Sequence, residues 1–113
     1  MRPAAATVQF KRRTIRVMLA DDHNVLRKTL TSFLEQREDI VVVGEADNGE
    51  AALNQVTALL PDVLILDLNM PGMGGLEVLP KVKQEAPSVK VLVLTGREED
   101  WYIVQALSAG ANG

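Results

Sequence analysis

The chain has 113 residues, of which 47% are hydrophobic and 24% charged, and it contains no cysteine. That length supports one hydrophobic core and excludes a second; the missing thiols exclude a disulfide framework, a thiolate metal site and a cysteine nucleophile, and favour a reducing, cytoplasmic setting. Four of the 12 basic residues and none of the 15 acidic ones fall within residues 1–13, so residues 14–113 carry 8 against 15, a net charge of −7.

An acidic domain of this kind binds nucleic acid poorly by itself. Apolar runs stop at about six residues, far short of the ~20 needed to cross a bilayer, so no membrane association is expected. Residues 1–13, "MRPAAATVQFKRR", lack the apolar centre of a signal peptide and read as a flexible basic leader ahead of a single domain over 14–113.

Four β-rich runs follow in order, each with a helical pattern behind it. Ile15–Ala20 (IRVMLA) leads into a stretch with Val25, Leu26, Leu30, Phe33 and Leu34 on one helical face. Ile40–Ala46 (IVVVGEA) leads into Ala52, Leu53, Val56, Leu59 and Leu60. Val63–Asp67 (VLILD) leads, after a loop, into Leu76, Leu79, Val82 and Ala86. Val89–Thr95 (VKVLVLT) leads into Trp101, Val104 and Leu107. Spacings of three and four mark helices, and nearly continuous Val/Ile/Leu marks strands buried on both faces. Strands alternating with helices predict an α/β domain with a doubly wound parallel sheet. Asn48-Gly49, Pro61 and Pro87 punctuate the loops.

In open parallel sheets ligands collect beyond the carboxyl ends of the strands, near the point where strand order reverses. The first strand here ends in Asp21-Asp22, the third in Asp67 and the fourth in Thr95-Gly96. The apolar body of VLILD holds its last residue at the rim of the sheet, beside the acidic pair. Taken singly, each aspartate reads as turn or cap chemistry, and Asp39 and Asp47 keep that reading. An acidic pair, an acid on another strand tip and Thr-Gly on a third are hard to obtain from turn chemistry alone. Three clustered carboxylates require either a shared proton or a cation. Oxygen ligands without cysteine suit a hard ion, Mg²⁺ above all. A carboxylate can accept a phosphoryl group as an acyl phosphate, while a hydroxyl such as Thr95 and the N–H of Gly96 bind its oxygens.

At these residues the sequence resembles the receiver domains of two-component response regulators, in particular those of the NarL/FixJ class, which precede a helix-turn-helix DNA-binding domain. The matching segments are VMLADDHNVLRKTL, VVVGEADNGEAAL, PDVLILDLNMPGMGGLEVL and VLVLTGREEDWYIVQALSAGANG. The resemblance implies a CheY-like (flavodoxin-like) sheet in the order 2-1-3-4. It implies a phosphorylation-dependent switch rather than an enzyme: Asp67 accepts a phosphoryl group from a sensor histidine kinase. Asp21, Asp22, Asp67 and the backbone carbonyl of Asn69 hold Mg²⁺, Thr95 is the switch hydroxyl, and Gly96 supplies a phosphoryl-binding backbone N–H. Transcription would be controlled through an output domain outside this sequence, the sole route to DNA.

The resemblance also marks departures. The family's fifth strand, with its lysine, and fifth helix lie beyond Gly113, which reads as a receiver domain incomplete at its C-terminus. The fourth strand is then expected as an exposed apolar edge, so that homodimer contacts would run through the fourth helix or that edge. Gly74 stands where the family usually has Asp, a tolerable helix start. The alternative to the switch is a phosphorylation-independent interaction module. A Mg²⁺-dependent aspartyl phosphatase fits less well, because its acids are spaced D-x-D on one strand. The glycines of GMGG lack dinucleotide-binding spacing.

Among the remaining residues His23, the single histidine, is expected to face solvent. Trp101 and Tyr102 open the fourth helix, one packed and one partly exposed as a contact on the signalling face. Lys11, Arg12 and Arg13 read as solvated charge, and Lys81, Lys83 and Lys90 as surface positions. Pro71 stiffens the loop beside Asp67.

Overall fold

In the computed structural model, residues 14–94 and 100–113 are described, with only the backbone of residues 100–102. The leader (1–13), Thr95, Gly96 and the side chains of Trp101 and Tyr102 lie outside the described residues. Four strands, β1 (Ile15–Ala20), β2 (Ile40–Ala46), β3 (Val63–Asp67) and β4 (Lys90–Leu94), alternate with helices α1 (Asn24–Leu34), α2 (Gly49–Leu59), α3 (Gly75–Glu85) and α4 (Asp100–Ser108). All neighbouring strands run parallel, in the order β2-β1-β3-β4. The first three strands begin and end where the apolar runs do. β4 starts one residue later than the pattern, at Lys90, although Val89 is fully buried.

Alternation along each strand divides the sheet into two faces. Met18, Ala20, Leu64, Leu66 and Val91 point into one core together with Ala52 and Val56 of α2 and Val78, Leu79 and Val82 of α3. Helix α3 packs against both α2 and α4, whereas among the described residues α1 packs mainly on β1 and β2. The α1 face is therefore thinner. Val25 is 80% and Phe33 66% exposed, and Leu92 and Leu94 are partly open as well. The apolar face read from the sequence for α1 exists, but among the described residues no second helix covers it.

Local chemistry sets the helix ends. The Asn48 side chain accepts the Ala51 N–H at 2.8 Å and caps α2. A Cβ on Gly49 would run into the Met73 carbonyl, so glycine lets α2 approach the loop after β3. Leu60 closes α2 in the left-handed region, at φ 45°, a costly choice for a branched side chain; Pro61, fully buried, follows at once. Gly74 starts α3 without a side-chain cap.

The expected exposed apolar edge of β4 keeps its exposed Leu92 and Leu94, but its hydrogen bonding needs correction. Val93 N–H donates to the Gly113 carbonyl at 2.8 Å, and Asn112 N–H donates to the Val91 carbonyl at 2.8 Å. The Asn112 side-chain oxygen also accepts the Val91 N–H at 2.9 Å. The last two residues thus satisfy the β4 edge where it would otherwise offer free donors, the groups that invite edge-to-edge pairing. Lys83 is likewise no idle surface residue: its Nζ donates to the Val89 carbonyl at 2.9 Å and to Asn112 Oδ1 at 3.2 Å, tying α3 to this closing segment.

Candidate cation and phosphoryl site

The C-terminal ends of β1 and β3 are adjacent because their ladder runs in register from Val17↔Val63 to Ala20↔Leu66. The next residues, Asp21 and Asp67, emerge side by side. Asp21 N–H donates to the Ala46 carbonyl at 3.0 Å, and Leu68 N–H donates to the Leu94 carbonyl at 3.2 Å, so each acid is clamped to its outer neighbouring strand. The turn after Asp67 is held by close packing. A Cβ on Gly75 would lie 2.6 Å from Leu68 Cα and 2.7 Å from the Asp67 carbonyl oxygen, so only glycine lets α3 start so near the acid.

Ligand atoms of Asp21, Asp22, His23 and Asp67 all lie within 4.8 Å of one another. Asp67 is only 7% and Asp21 only 4% exposed, whereas Asp22 faces solvent. Asp67 Oδ1 accepts the Asn69 N–H at 2.9 Å; Oδ2 is buried with no hydrogen-bond partner. An orphaned carboxylate oxygen in a protein interior is costly. Burial raises the Asp67 pKa above its ordinary value, and the Asp21 and Asp22 charges push the same way, against the lowering effect of the Asn69 N–H. The donor set, mostly carboxylate oxygen with one oxygen unused and aimed into the pocket, fits a divalent cation.

Two neighbours of the pocket were not assigned to it from the sequence. His23 is exposed at its ring edge, yet its Nδ1 turns inward, 2.9 Å from Asp21 Oδ1, 3.3 Å from Asp22 Oδ1 and 3.7 Å from Asp67 Oδ2. The hydrogen bond to Asp21 and the charges of Asp22 and Asp21 raise its pKa. The expectation that His23 faces solvent is thus half right. The cause is local: Asp21 Oδ1 also accepts the His23 backbone N–H at 2.8 Å, an Asx-type turn that folds the ring back over the acids.

Arg27, 9% exposed, donates from its guanidinium to Glu45 at 2.9 Å, to the Asp21 carbonyl at 2.6 Å and to Asn24 Oδ1 at 2.6 Å. It fastens the Asp21 loop to β2. The helix carries a second cation, Lys28, beside it, so no signal in the sequence marks Arg27 as the buried one.

Beside the acids an open groove of about 820 Å³ runs past Leu26, Leu30 and Leu94. Thr95 and Gly96, the expected phosphoryl-binding pair, lie outside the described residues and directly follow Leu94. Among those described, no helix is long and apolar enough to cross a membrane.

Comparison with known proteins agrees with this geometry. The chain is 42% identical over 99 residues to the response regulator GacA of Pseudomonas viridiflava, covering 88% of this chain and 46% of that protein. It is 41% identical over 97 residues to the nitrate/nitrite response regulator protein NarL of Escherichia coli, covering 86% of this chain and 45% of that one. The chain therefore spans about half the length of these curated relatives. The solved signal receiver domain of the response regulator NarL from Mycobacterium tuberculosis superimposes with a TM-score of 0.84 at 39% identity, over 88% of this chain and 81% of that one. Residues 17–113 match the family model described as the response regulator receiver domain. With that match running from within β1 to the last residue, the chain belongs to the response regulator receiver domain family.

Proposed function

We propose that this receiver domain is the phosphoryl-accepting switch of a two-component system, with Asp67 as the acceptor. One observation carries the reading: the carboxylate of Asp67 is buried with Oδ2 unpartnered, a few ångströms from Asp21 and Asp22. Asp21, Asp22, Asp67 and the backbone carbonyl of Asn69 would hold Mg²⁺. Bound there, the ion supplies positive charge against the phosphoryl oxygens.

In the transfer a carboxylate oxygen of Asp67 forms a bond to phosphorus. The bond from phosphorus to the kinase's histidine nitrogen breaks, and that nitrogen keeps the electron pair. Asp67 suits the task because it is fixed by β3 and by the Asn69 N–H, and because water is largely excluded around it. Thr95 is assigned the hydroxyl that moves onto the phosphoryl group, and Gly96 the N–H that binds it.

The module is a signalling domain in the cytoplasm, not an enzyme, and works by shifting between two packed arrangements. Its partners are a sensor histidine kinase and, through an output domain of a longer protein, DNA. The exposed Ile103, Val104 and Leu107 of α4 favour α4 over the β4 edge as a homodimer contact.

Incubation with a small-molecule phosphodonor and Mg²⁺, read by intact mass, tests the assignment. The expected result is a gain of one phosphoryl group that is lost in Asp67→Ala and depends on Mg²⁺. No gain in the wild type would favour the phosphorylation-independent interaction module.

A further inference from the structure

The imidazole of His23 is not needed for an all-oxygen Mg²⁺ site, yet its Nδ1 stands at the mouth of one. We propose that His23 is a metal ligand that gives this pocket a second occupant, a borderline divalent cation such as Zn²⁺, bound through Nδ1 together with Asp21 and Asp67. The inference rests on the reading of the acidic pocket as a cation site and goes beyond it in the identity of the ion.

Three observations support it. The Nδ1 separations of 2.9, 3.3 and 3.7 Å from oxygens of Asp21, Asp22 and Asp67 bracket the spacing of adjacent donors around one ion, about 2.9–3.5 Å for metal–ligand bonds of about 2.0–2.2 Å. Asp67 Oδ2, buried and unpartnered, points into the same space, so a ligand is wanted independently of the acid count. The mixed set of one nitrogen and several oxygens is also selective: imidazole favours Zn²⁺, Ni²⁺ and Cu²⁺, whereas carboxylate, carbonyl and water favour Mg²⁺.

Binding requires a free lone pair on Nδ1, so the ring would carry a single proton, on Nε2, and Nδ1 would exchange its hydrogen bond to Asp21 for the metal. No backbone rearrangement is demanded, because the Asx-type turn already holds the ring over the acids. A zinc ion so bound would occupy Asp67 and compete with both Mg²⁺ and the phosphoryl group.

The test uses the full chain, calorimetric titration with ZnCl₂ and with MgCl₂, and the His23→Gln variant. His23 begins α1 without a side-chain cap bond, so the substitution spares the helix start. The wild type is expected to bind Zn²⁺ at least tenfold more tightly than Mg²⁺. The variant should lose at least tenfold in Zn²⁺ affinity and change less than twofold in Mg²⁺ affinity. Because the sequence has a single histidine, ¹⁵N-histidine labelling gives a second readout: a large Nδ1 shift with Zn²⁺ that Mg²⁺ does not produce.

Equal Zn²⁺ affinity in wild type and variant, or an Nδ1 resonance that is the same under both ions, overturns the proposal. Mg²⁺ binding with no Zn²⁺ binding overturns it and leaves the phosphoryl-acceptor reading standing. Binding of neither ion defeats both.

Discussion

Strand β3 is flanked by two aspartates, and they lead opposite lives. Asp62, just before the strand, is exposed, and its side chain accepts the Arg16 N–H at 2.8 Å. Its backbone extends the same stitch, receiving Lys90 N–H at 3.0 Å and donating to the Arg16 carbonyl at 2.9 Å. Asp67, the strand's last residue, is buried, and one of its oxygens has no hydrogen-bond partner. The first acid closes the ladder; the second is held where the ladder leaves it unsatisfied. The same side chain is structural at the amino end and available for chemistry at the carboxyl end. What differs is desolvation without compensation, the condition that marks reactive groups.

The sharpest way to disturb the second end without touching its acid is Gly75→Ala. The added Cβ has nowhere to go between Leu68 and the Asp67 carbonyl, so the loop must move. A loss of about 1–3 kcal/mol is expected from such overpacking, read by urea unfolding, together with weakened Mg²⁺ binding. Asp62→Ala should behave differently. Removing its carboxylate costs the Arg16 N–H one bond near solvent, about 0.5–1.5 kcal/mol, with Mg²⁺ affinity unchanged by titration.

The smallest effect is the most diagnostic. Because the folded pKa of Asp67 lies above its ordinary value, the folded state binds more protons than the unfolded one between those two values. Stability contributed by the protonated acid is therefore greatest at low pH and falls as pH rises through that interval. Asp67→Asn removes the penalty. In metal-free buffer the variant should melt a few degrees above the wild type at pH 7, and the difference should vanish below pH 3.8.

Much of this was legible in the residues. The ends of the apolar runs coincide with β1, β2 and β3 as observed. That placement alone carries Asp21 and Asp67 to one rim. The expected burial on both faces fails for β2, which is half-buried along most of its length, because it lies at the edge of the sheet. Less was legible where a side chain turns through short-range polar contacts. His23 looked like a free surface residue because an Asx-type turn depends on a rotamer, which periodicity does not report. Lys83 looked solvated, and Arg27 drew no reading at all, because a guanidinium or ammonium finds its backbone carbonyl partners only after the chain has folded. The β4 edge was misjudged for a related reason: Asn112 and Gly113 pair with it across the sheet, a contact between segments about 20 residues apart that a local pattern cannot contain.

The contrast between the two ends of β3 can be put to one measurement. After reaction with a phosphodonor and Mg²⁺, borohydride reduction converts an aspartyl phosphate to homoserine, which peptide mass mapping then locates. Homoserine at residue 67 alone is the predicted result. Homoserine at residue 21, 22 or 62, with residue 67 intact, would contradict the assignment of the buried, unsatisfied carboxylate as the acceptor.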